Sequence, residues 1–291
     1  MNTVKYINHK PFLAYFTNLL ESRNFTQPIR LLEAGCGPGH FAALLKDQLK
    51  DRIDIIAIDP SEEGIKACAN HNADVNYLVT TILDMDKEKY ANYFDVILFT
   101  KSLHHCDPLD ATIDQTYKFL KKNGIVVAEE FDRDAIDEQT ARWFFERLDL
   151  IQAGNHIKPP TLKNESLLKR WTALIDPATG SPMDRWNSFF DVRGFEGLFK
   201  HGLQGDRMSV HSAMTQSLAK RFSKNEDQES MVVKAVHNQS FLTCSIVFFG
   251  LEDTPIGTAI LETFMKQEEV AIKDGTIKGT GVTYIVEKQE D

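Results

Sequence analysis

Three glycines that follow a short apolar segment near residue 30 have a spacing that could hold a nucleotide. The segment Ile29–Ala34 leads directly into Gly35, Gly37 and Gly39, which occupy every second position. Glycine permits positive φ and lets the backbone approach a ligand, because no Cβ intervenes. The helix predicted to start near His40 presents its free N–H groups toward the same place. The pattern therefore indicates a binding site for a nucleotide-like ligand.

A carboxylate stands where the sugar of such a ligand would lie. A second apolar run, Ile53–Ile58, ends at Asp59, which is 20 residues beyond Gly39. A carboxylate at the end of this strand can accept hydrogen bonds from both hydroxyls of a ribose. Dinucleotide-binding folds space their glycines as G-x-G-x-x-G. Here the third glycine comes one residue early, which disfavours a nicotinamide-dependent oxidoreductase but leaves it as an alternative.

The glycine turn, preceded two residues earlier by Glu33, resembles the first motif of class I S-adenosylmethionine (AdoMet)-dependent methyltransferases, (D/E)-x-G-x-G-x-G. The segment Phe94–His105 resembles the family's fourth motif. Lys121–Val127 resembles its turn into the fifth strand, with Asn123 in place of the proline and one glycine missing. The resemblance covers about residues 25–132, in the family's order and spacing. It implies AdoMet as the cofactor.

The resemblance also implies which residues hold the cofactor. The glycine turn would line the methionine and ribose portion, Asp59 would hold the ribose, and Pro60 would pack beside the adenine. Thr100 would contact the methionine moiety through its backbone carbonyl. The full implied set is Glu33, Gly35, Cys36, Gly37, Asp59, Pro60, Thr81, Ile82 and Thr100.

The adenine end of the implied site departs from the family pattern. Thr81 and Ile82 would meet the adenine edge, but many members have an aspartate where Thr81 stands. A threonine hydroxyl accepts more weakly from the adenine amino group. Asp84 is an alternative acceptor for that group.

His105 is the predicted general base, because the loop after the fourth strand faces the transferred methyl group in this fold. A structural role, as packing or as a cap of the next helix, is the alternative for this residue. The segment His104–Asp107 holds four potential metal ligands, but adjacent residues cannot surround one tetrahedral ion, so no metal is predicted. Three carboxylates at the end of the fifth strand could hold a cationic substrate or could simply be solvated: Glu129, Glu130 and Asp132.

Composition limits the partners that the chain can have. The 291 residues carry a formal net charge of −9, from 42 acidic and 33 basic side chains. This balance repels a phosphate backbone, so no nucleic-acid partner is predicted. The four cysteines lie far apart without a C-x-x-C pair, which predicts reduced thiols in the cytoplasm. No apolar stretch reaches the roughly 18 residues that span a bilayer, so no membrane partner is predicted either.

Strands that alternate with helices predict the fold class. We expect an α/β three-layer sandwich: a mostly parallel, seven-stranded, Rossmann-like methyltransferase sheet with a helical insertion. A single domain over residues 1–291 would contain an AdoMet-binding core at 25–132, a helical insertion or cap at 136–185, and a completion of the sheet at 186–291. Within that last part, Phe241–Phe249 is predicted to be a strand, 256–272 a helix and Val282–Glu287 a closing strand.

The leading functional hypothesis is an AdoMet-dependent methyltransferase that acts on a small molecule, at an oxygen, nitrogen, sulfur or carbon atom. Alternatives are a protein methyltransferase and a non-catalytic AdoMet-binding subunit that regulates a partner. Aromatic residues in and near the insertion could form either a wall for a hydrophobic acceptor or a core: Trp143, Phe144, Phe145, Trp171, Trp186, Phe189 and Phe190. The sequence does not indicate an oligomeric state.

Overall fold

The computed structural model describes residues 3–26, 28–68, 74–132, 135–158, 171–172, 175–190, 211–223, 233–236 and 241–289. The chain divides into two compact units. One, the sheet unit, contains Pro11–Phe131, Gly205–Val236 and Val282–Asp291. The other, the helical unit, contains Met1–Lys10, Asp132–Gln204 and His237–Gly281.

The sheet unit holds the elements that carry the motifs. Helix α1 contributes its residues from Pro11 onward to this unit. The elements, in chain order, are α1 (Thr3–Glu21), β1 (Ile29–Ala34), α2 (His40–Leu49), β2 (Ile53–Asp59), α3 (Glu62–Cys68), β3 (Val75–Val79), β4 (Phe94–Thr100), α4 (Leu109–Phe119), β5 (Leu120–Phe131), α7 (His211–Phe222), β6 (Val233–Val236) and β7 (Gly281–Glu287). Short 3-10 turns, Lys50–Arg52 and Leu103–His105, precede β2 and α4.

The predicted sheet is confirmed. In the described ranges it has seven strands in the order β3-β2-β1-β4-β5-β7-β6. Strands β1 to β5 are mutually parallel, and β7 pairs antiparallel with β6. The pairings Ala34↔Ile58 and Thr100↔Glu129 bring the carboxyl ends of β1, β2, β4 and β5 to one edge. Ligands bind at this edge in open α/β sheets.

Burial on both faces explains why the parallel strands read as continuous apolar runs. On one face, Leu32, Ile97 and Val126 pack with residues of α4 and α7 in one core cluster. On another side of the unit, Phe41 of α2 packs against Phe12 of α1, with ring centroids 5.3 Å apart. Six of the seven residues of β4 are buried. The two layers of helices hold the sheet edge in a fixed shape.

Strand β5 begins earlier than its sequence predicts. We expected it to start at Ile125, after a turn at Gly124, but the strand includes Leu120 onward. The pairing with β4 shifts register between Phe94 and Val96, and a Cβ at Gly124 would lie 2.9 Å from the Lys121 carbonyl oxygen. The glycine therefore marks an irregularity inside a strand, a role that glycine also plays in β-bulges.

The helical unit contains α5 (Glu138–Ala153), α6 (Pro182–Phe190), α8 (Phe241–Phe248) and α9 (Pro255–Lys273). The predicted insertion at 136–185 includes α5 and the start of α6. Its residues 159–170, 173 and 174 lie outside the described ranges. No helix in the described ranges is long and apolar enough to cross a bilayer.

Aromatic side chains form the interior of the helical unit. Phe144 packs edge-on against Trp186 and Phe264, with ring centroids 5.8 Å and 6.2 Å away. Phe145 and Trp143 are buried beside them. These predicted pocket residues therefore contribute to a core, and the side chains of Phe189 and Phe190 lie outside the described structure.

The prediction of a strand over Phe241–Phe249 is wrong, because this segment forms α8. Glu268 of α9 caps the start of α8: its carboxylate accepts from the N–H groups of Leu242 and Thr243, at 2.9 and 2.7 Å. Leu242, Thr243 and neighbouring residues of α8 are fully buried. A short helix that is apolar on all sides shows no periodicity, so its sequence cannot be distinguished from that of a buried strand.

Replacing Glu268 with alanine should lower the free energy of unfolding by about 2–4 kcal/mol, because two buried backbone N–H groups lose their acceptor. Urea unfolding followed by circular dichroism measures this loss. The matched control is Glu269→Ala, since Glu269 is the next residue of α9 and is exposed. Its substitution should change stability by less than about 0.5 kcal/mol. Equal losses from both variants would contradict the capping role.

Candidate active site at the ends of the parallel strands

The glycine turn is fixed against the end of β2 by the backbone. The N–H groups of Gly35 and Cys36 both donate to the carbonyl oxygen of Ile58, at 2.8 and 2.9 Å, and Gly39 donates to the carbonyl of Cys36 at 2.9 Å. Gly35, Gly37 and Gly39 have φ of 77°, 52° and 71°. This left-handed region is unfavourable for residues other than glycine. The turn adopts it at every second position, and this explains why the three glycines are spaced in that way.

The three glycines have different surroundings. A Cβ at Gly35 would lie 2.4 Å from the Cβ of Ser102, and one at Gly39 would lie 2.6 Å from a ring carbon of Tyr77. At Gly37 a Cβ would meet nothing within 4 Å. Two of the glycines are therefore required by packing, whereas Gly37 faces open space that a ligand can approach.

Asp59 holds the open part of the turn. It ends β2 and is 8% exposed. Its Oδ2 accepts from the N–H of Gly37 and its Oδ1 from the N–H of Ser61, both at 2.8 Å. Each carboxylate oxygen keeps a second lone pair. The carboxylate is therefore oriented by the backbone and can still accept from two hydroxyl groups. Pro60 beside it is exposed.

Glu33 is buried with half of its carboxylate unsatisfied. It is 1% exposed; its Oε1 accepts from the hydroxyl of Thr100 at 2.7 Å, and its Oε2 has no hydrogen-bond partner in the described structure. Burial raises the pKa of Glu33 to about 7. The Thr100 hydroxyl and the Ala42 backbone N–H lower this pKa, but their effect is smaller than that of burial. The contact with Thr100 was not predicted, since sequence reasoning assigned only a backbone role to Thr100.

The adenine end of the predicted site forms a local turn. The hydroxyl of Thr81 donates to Oδ2 of Asp84 at 2.6 Å, and the N–H of Asp84 donates to the carbonyl of Thr81. Asp84 is exposed, which leaves its second oxygen accessible to a ligand. The side chain of Ile82 packs into the core of the sheet unit.

Two buried thiols lie beneath the turn. Cys36 and Cys68 each lie 3.6 Å from the carbonyl oxygen of Gly37. Burial raises the pKa of both thiols, that of Cys68 to about 11. At neutral pH both are protonated, so their role here is packing and weak hydrogen bonding rather than nucleophilic attack.

The loop after β4 is attached to both neighbouring strands. The hydroxyl of Ser102 donates to the carbonyl of Ala34 at 2.6 Å. Lys101 has a φ of 56°, donates from its N–H to the carbonyl of Glu129 at 2.7 Å, and pairs its ammonium group with the Glu129 carboxylate at 2.9 Å. The left-handed backbone at Lys101 turns the chain so that the next residues cross the end of the sheet.

His104, two residues after Ser102 in this loop, is held by a carboxylate. Nδ1 of His104 lies 2.6 Å from Oε2 of Glu130, and both side chains are buried. The other oxygen of Glu130 accepts from the N–H of Leu103 at 2.8 Å. Because a carboxylate only accepts, Nδ1 carries the proton of a neutral His104 and Nε2 keeps its lone pair. We name His104 and Glu130 the histidine–glutamate pair.

The base predicted from the sequence is the neighbouring histidine, His105. His105 is exposed, and its ring centroid lies 4.0 Å from that of His104. Its catalytic role stays a prediction. The signal that could have identified His104 is the carboxylate of Glu130, which lies near the end of β5, the strand that pairs with β4. No group of three or more potential metal ligands occurs in the described ranges.

Two of the three carboxylates that could hold a cationic substrate have basic partners within the protein. Glu129 pairs with Lys101, and Glu130 with His104. Burial raises the pKa of Glu129, an effect that the ammonium group of Lys101 reduces. Asp132 donates from its N–H to the carbonyl of Thr280.

Replacing Glu33 with glutamine should stabilise the ligand-free protein at pH 8 by up to about 3 kcal/mol, because it removes a buried charge. The pKa of Glu33 is about 7 in the folded state, and its ordinary value is 4.5. Between pH 4.5 and pH 7 the folded state therefore binds a proton at Glu33 that the unfolded state has released. The stability contribution of Glu33 therefore rises as pH falls from 8 to 5. Urea unfolding at several pH values should show this slope in the wild type and a flatter one in Glu33→Gln.

The control is Glu63→Gln, because Glu63 is exposed on α3. That variant should match the wild type at every pH. A Glu33→Gln protein that is less stable than the wild type at pH 8 would contradict the assignment of a destabilising buried charge.

The chain is similar to parts of several known proteins. Part of the polyketide synthase PksM of Bacillus subtilis is 25% identical over 229 residues, which are 72% of this chain and 5% of that protein. A ubiquinone biosynthesis O-methyltransferase of Rickettsia typhi is 26% identical over 38% of this chain and 44% of its own length. The chain thus spans less than half of these relatives.

Among solved structures, the plantazolicin methyltransferase BpumL in complex with a triazolic desmethylPZN analog and SAH aligns with 99% of this chain and 86% of its own, at 14% identity and a TM-score of 0.48. A family model described as a methyltransferase domain matches residues 8–202, about two thirds of the chain. That match includes the glycine turn, Asp59 and the histidine–glutamate pair. The chain therefore belongs to the methyltransferase-domain family, as its resemblance to class I AdoMet-dependent methyltransferases predicted.

Proposed function

We propose that this chain transfers a methyl group from AdoMet to a small-molecule acceptor. Membership in the methyltransferase-domain family supports the reaction type. The open side of Gly37 beside Asp59 is the observation that carries the cofactor assignment, because it combines backbone access with a carboxylate oriented by two N–H groups. AdoMet, when bound, supplies a methyl group on a sulfonium centre with a neutral leaving group.

The residues around the turn fit a cationic cofactor. Glu33, Asp59 and Glu129 are close enough to one another that the charges of Asp59 and Glu129 help to raise the pKa of Glu33. The sulfonium and ammonium groups of AdoMet are both positive, so they would favour the ionised form of Glu33. The ammonium group would also supply a hydrogen-bond donor for its unpartnered Oε2. Asp59 would hold the ribose hydroxyls, and Asp84 or Thr81 the adenine amino group.

The histidine–glutamate pair narrows the class of acceptor. Amines and thiols need little help as nucleophiles, whereas a hydroxyl usually needs a base and a carbon acid nearly always does. Glu130 holds the His104 ring with Nε2 as the acceptor, which is the arrangement of an oriented base. We therefore infer an acceptor whose oxygen or carbon loses a proton. The O-methyltransferase names among the relatives agree with this inference.

Calorimetric titration with AdoMet, S-adenosylhomocysteine and NADH tests the cofactor. Binding of both sulfur compounds is expected, and tight NADH binding without a response to either would contradict the proposal. Incubation of the protein with metabolite extract and methyl-labelled AdoMet then tests the reaction. Binding without any methyl incorporation would favour a non-catalytic AdoMet-binding subunit.

Replacing Asp59 with alanine should weaken AdoMet binding by about 1.5–3 kcal/mol, because a charge-assisted contact with the ribose is lost. Calorimetry measures the change. Asp54→Ala is the matched control, since Asp54 lies on the same strand and is exposed. An unchanged affinity in Asp59→Ala would place the ribose elsewhere.

Replacing His104 with glutamine should lower turnover by about 100- to 10,000-fold, because the proton acceptor is lost. AdoMet affinity should stay within about twofold, since binding does not require a base. The measurement is turnover with the acceptor that the extract screen identifies. His105→Gln is the matched comparison: activity lost in that variant and retained in His104→Gln would make His105 the base and refute the role of His104.

A further inference from the structure

A second histidine of the sheet unit is held by a buried tyrosine. Tyr284 of β7 is fully buried, and its hydroxyl is hydrogen-bonded to Nδ1 of His211, the first residue of α7. The two rings are stacked, with centroids 5.5 Å apart. His211 itself is half-buried. Neither residue has a role in the site described so far.

The strand pairing places Tyr284 next to the histidine–glutamate pair. Backbone hydrogen bonds join Lys288 to Gly124, and Asp132 to Thr280, so β7 runs antiparallel beside β5. In this register Tyr284 lies opposite Ala128, and both belong to the core cluster on one face of the sheet. Glu130 is two residues further along β5 on the same face. Diagonal neighbours of this kind have Cα atoms about 7–8 Å apart.

Helix α7, which begins with His211, runs parallel to α4, which follows the loop that carries His104. Asp110, in the first turn of α4, contacts both Ser217 and Lys220 of α7. Near the end of α4, Tyr117 packs against Phe222, with ring centroids 5.2 Å apart. The two helices therefore run in parallel. Since α4 follows the His104 loop, the His211 end of α7 lies toward the same edge of the sheet.

The partners allow the two histidines complementary hydrogen-bonding roles, and the role of His211 depends on which of its ring nitrogens is protonated. A phenol hydroxyl that donates to Nδ1 of neutral His211 leaves the proton on Nε2, so Nε2–H becomes a donor. In His104 the carboxylate of Glu130 accepts from Nδ1, so Nε2 becomes an acceptor. One ring can thus take a proton while the other donates a hydrogen bond.

We propose that His211 donates from Nε2 to the acceptor oxygen that becomes negatively charged when His104 removes a proton, and that Tyr284 is its positioning residue. This inference rests on the proposed function and assigns the acceptor to phenols and enols. A fixed donor aimed at a developing oxyanion is more effective than water, because it needs no reorientation. The partly buried site strengthens that interaction.

The test uses the full chain saturated with S-adenosylhomocysteine and 4-nitrophenol as the oxyanion probe. Binding of the phenolate is measured by its visible absorbance and by calorimetry. His211→Ala should weaken phenolate binding about tenfold to a hundredfold, because a hydrogen bond to a charged oxygen is lost. Tyr284→Phe keeps the ring but not the hydroxyl, and should weaken binding about threefold to tenfold. His211→Gln, which keeps a donor, should retain more affinity than His211→Ala.

The control is Ser212→Ala, since Ser212 is the exposed neighbour of His211 on α7. It should bind the phenolate like the wild type, and all variants should keep wild-type affinity for S-adenosylhomocysteine and a wild-type Tm. Unchanged phenolate binding in His211→Ala, or no phenolate binding by the wild-type complex, would overturn the proposal. A parallel fall in Tm would show a structural role and overturn it as well.

Nitrogen-15 NMR of the histidine rings gives a second, independent measurement on the same complex. A His211 signal protonated at Nε2 is expected, and one protonated at Nδ1 would overturn the donor role. Failure of the proposed function itself is separately visible, because S-adenosylhomocysteine would then not bind to the wild-type protein at all.

Discussion

The carbonyl oxygen of Ile58 accepts two backbone N–H groups, those of Gly35 and Cys36, and the rest of the site depends on this contact. It fixes the end of β1 to the end of β2, so that the carboxylate of Asp59 meets the N–H of Gly37. Because the glycines carry no side chains, the turn is held in place by backbone hydrogen bonds, by the strands and by side chains from outside it, above all the carboxylate of Asp59. The apolar strands are thus the support that a backbone binding site requires.

Buried carboxylates are the second constraint on this edge of the sheet. Glu129 and Glu130 each have a basic partner, and Asp59 has two N–H donors. Oε1 of Glu33 accepts from the Thr100 hydroxyl, and its Oε2 has no hydrogen-bond partner in the described structure. An unpaired buried charge is unfavourable in the folded state, and such groups concentrate at functional sites because a ligand can complete their interactions. The stability of the ligand-free protein and the affinity for a cation are therefore opposed at this residue.

The sequence predicted those parts of the structure that depend on short, local patterns of residues. Three glycines at every second position, a carboxylate at the end of the next strand and long apolar runs predicted the parallel sheet, and the family match and the structure confirmed it. Tertiary contacts decided the rest. The start of the helix Phe241–Phe248 is capped by Glu268, 20 residues beyond its end, and His104 is oriented by Glu130, 26 residues further along the chain. Neither pairing leaves a periodic signal in the sequence.

The packing around Gly39 connects three positions that are distant in the chain. The ring of Tyr77 and the sulfur of Cys68 occupy the space that a Cβ at residue 39 would need, at 2.6 and 2.7 Å, while the tyrosine hydroxyl donates to the carbonyl of Gly39. A side chain at residue 39 therefore requires smaller residues at 68 and 77, and still a left-handed backbone at residue 39 itself. In related sequences we therefore expect residues 39, 68 and 77 to vary together, because a side chain at position 39 fits only when positions 68 and 77 are smaller.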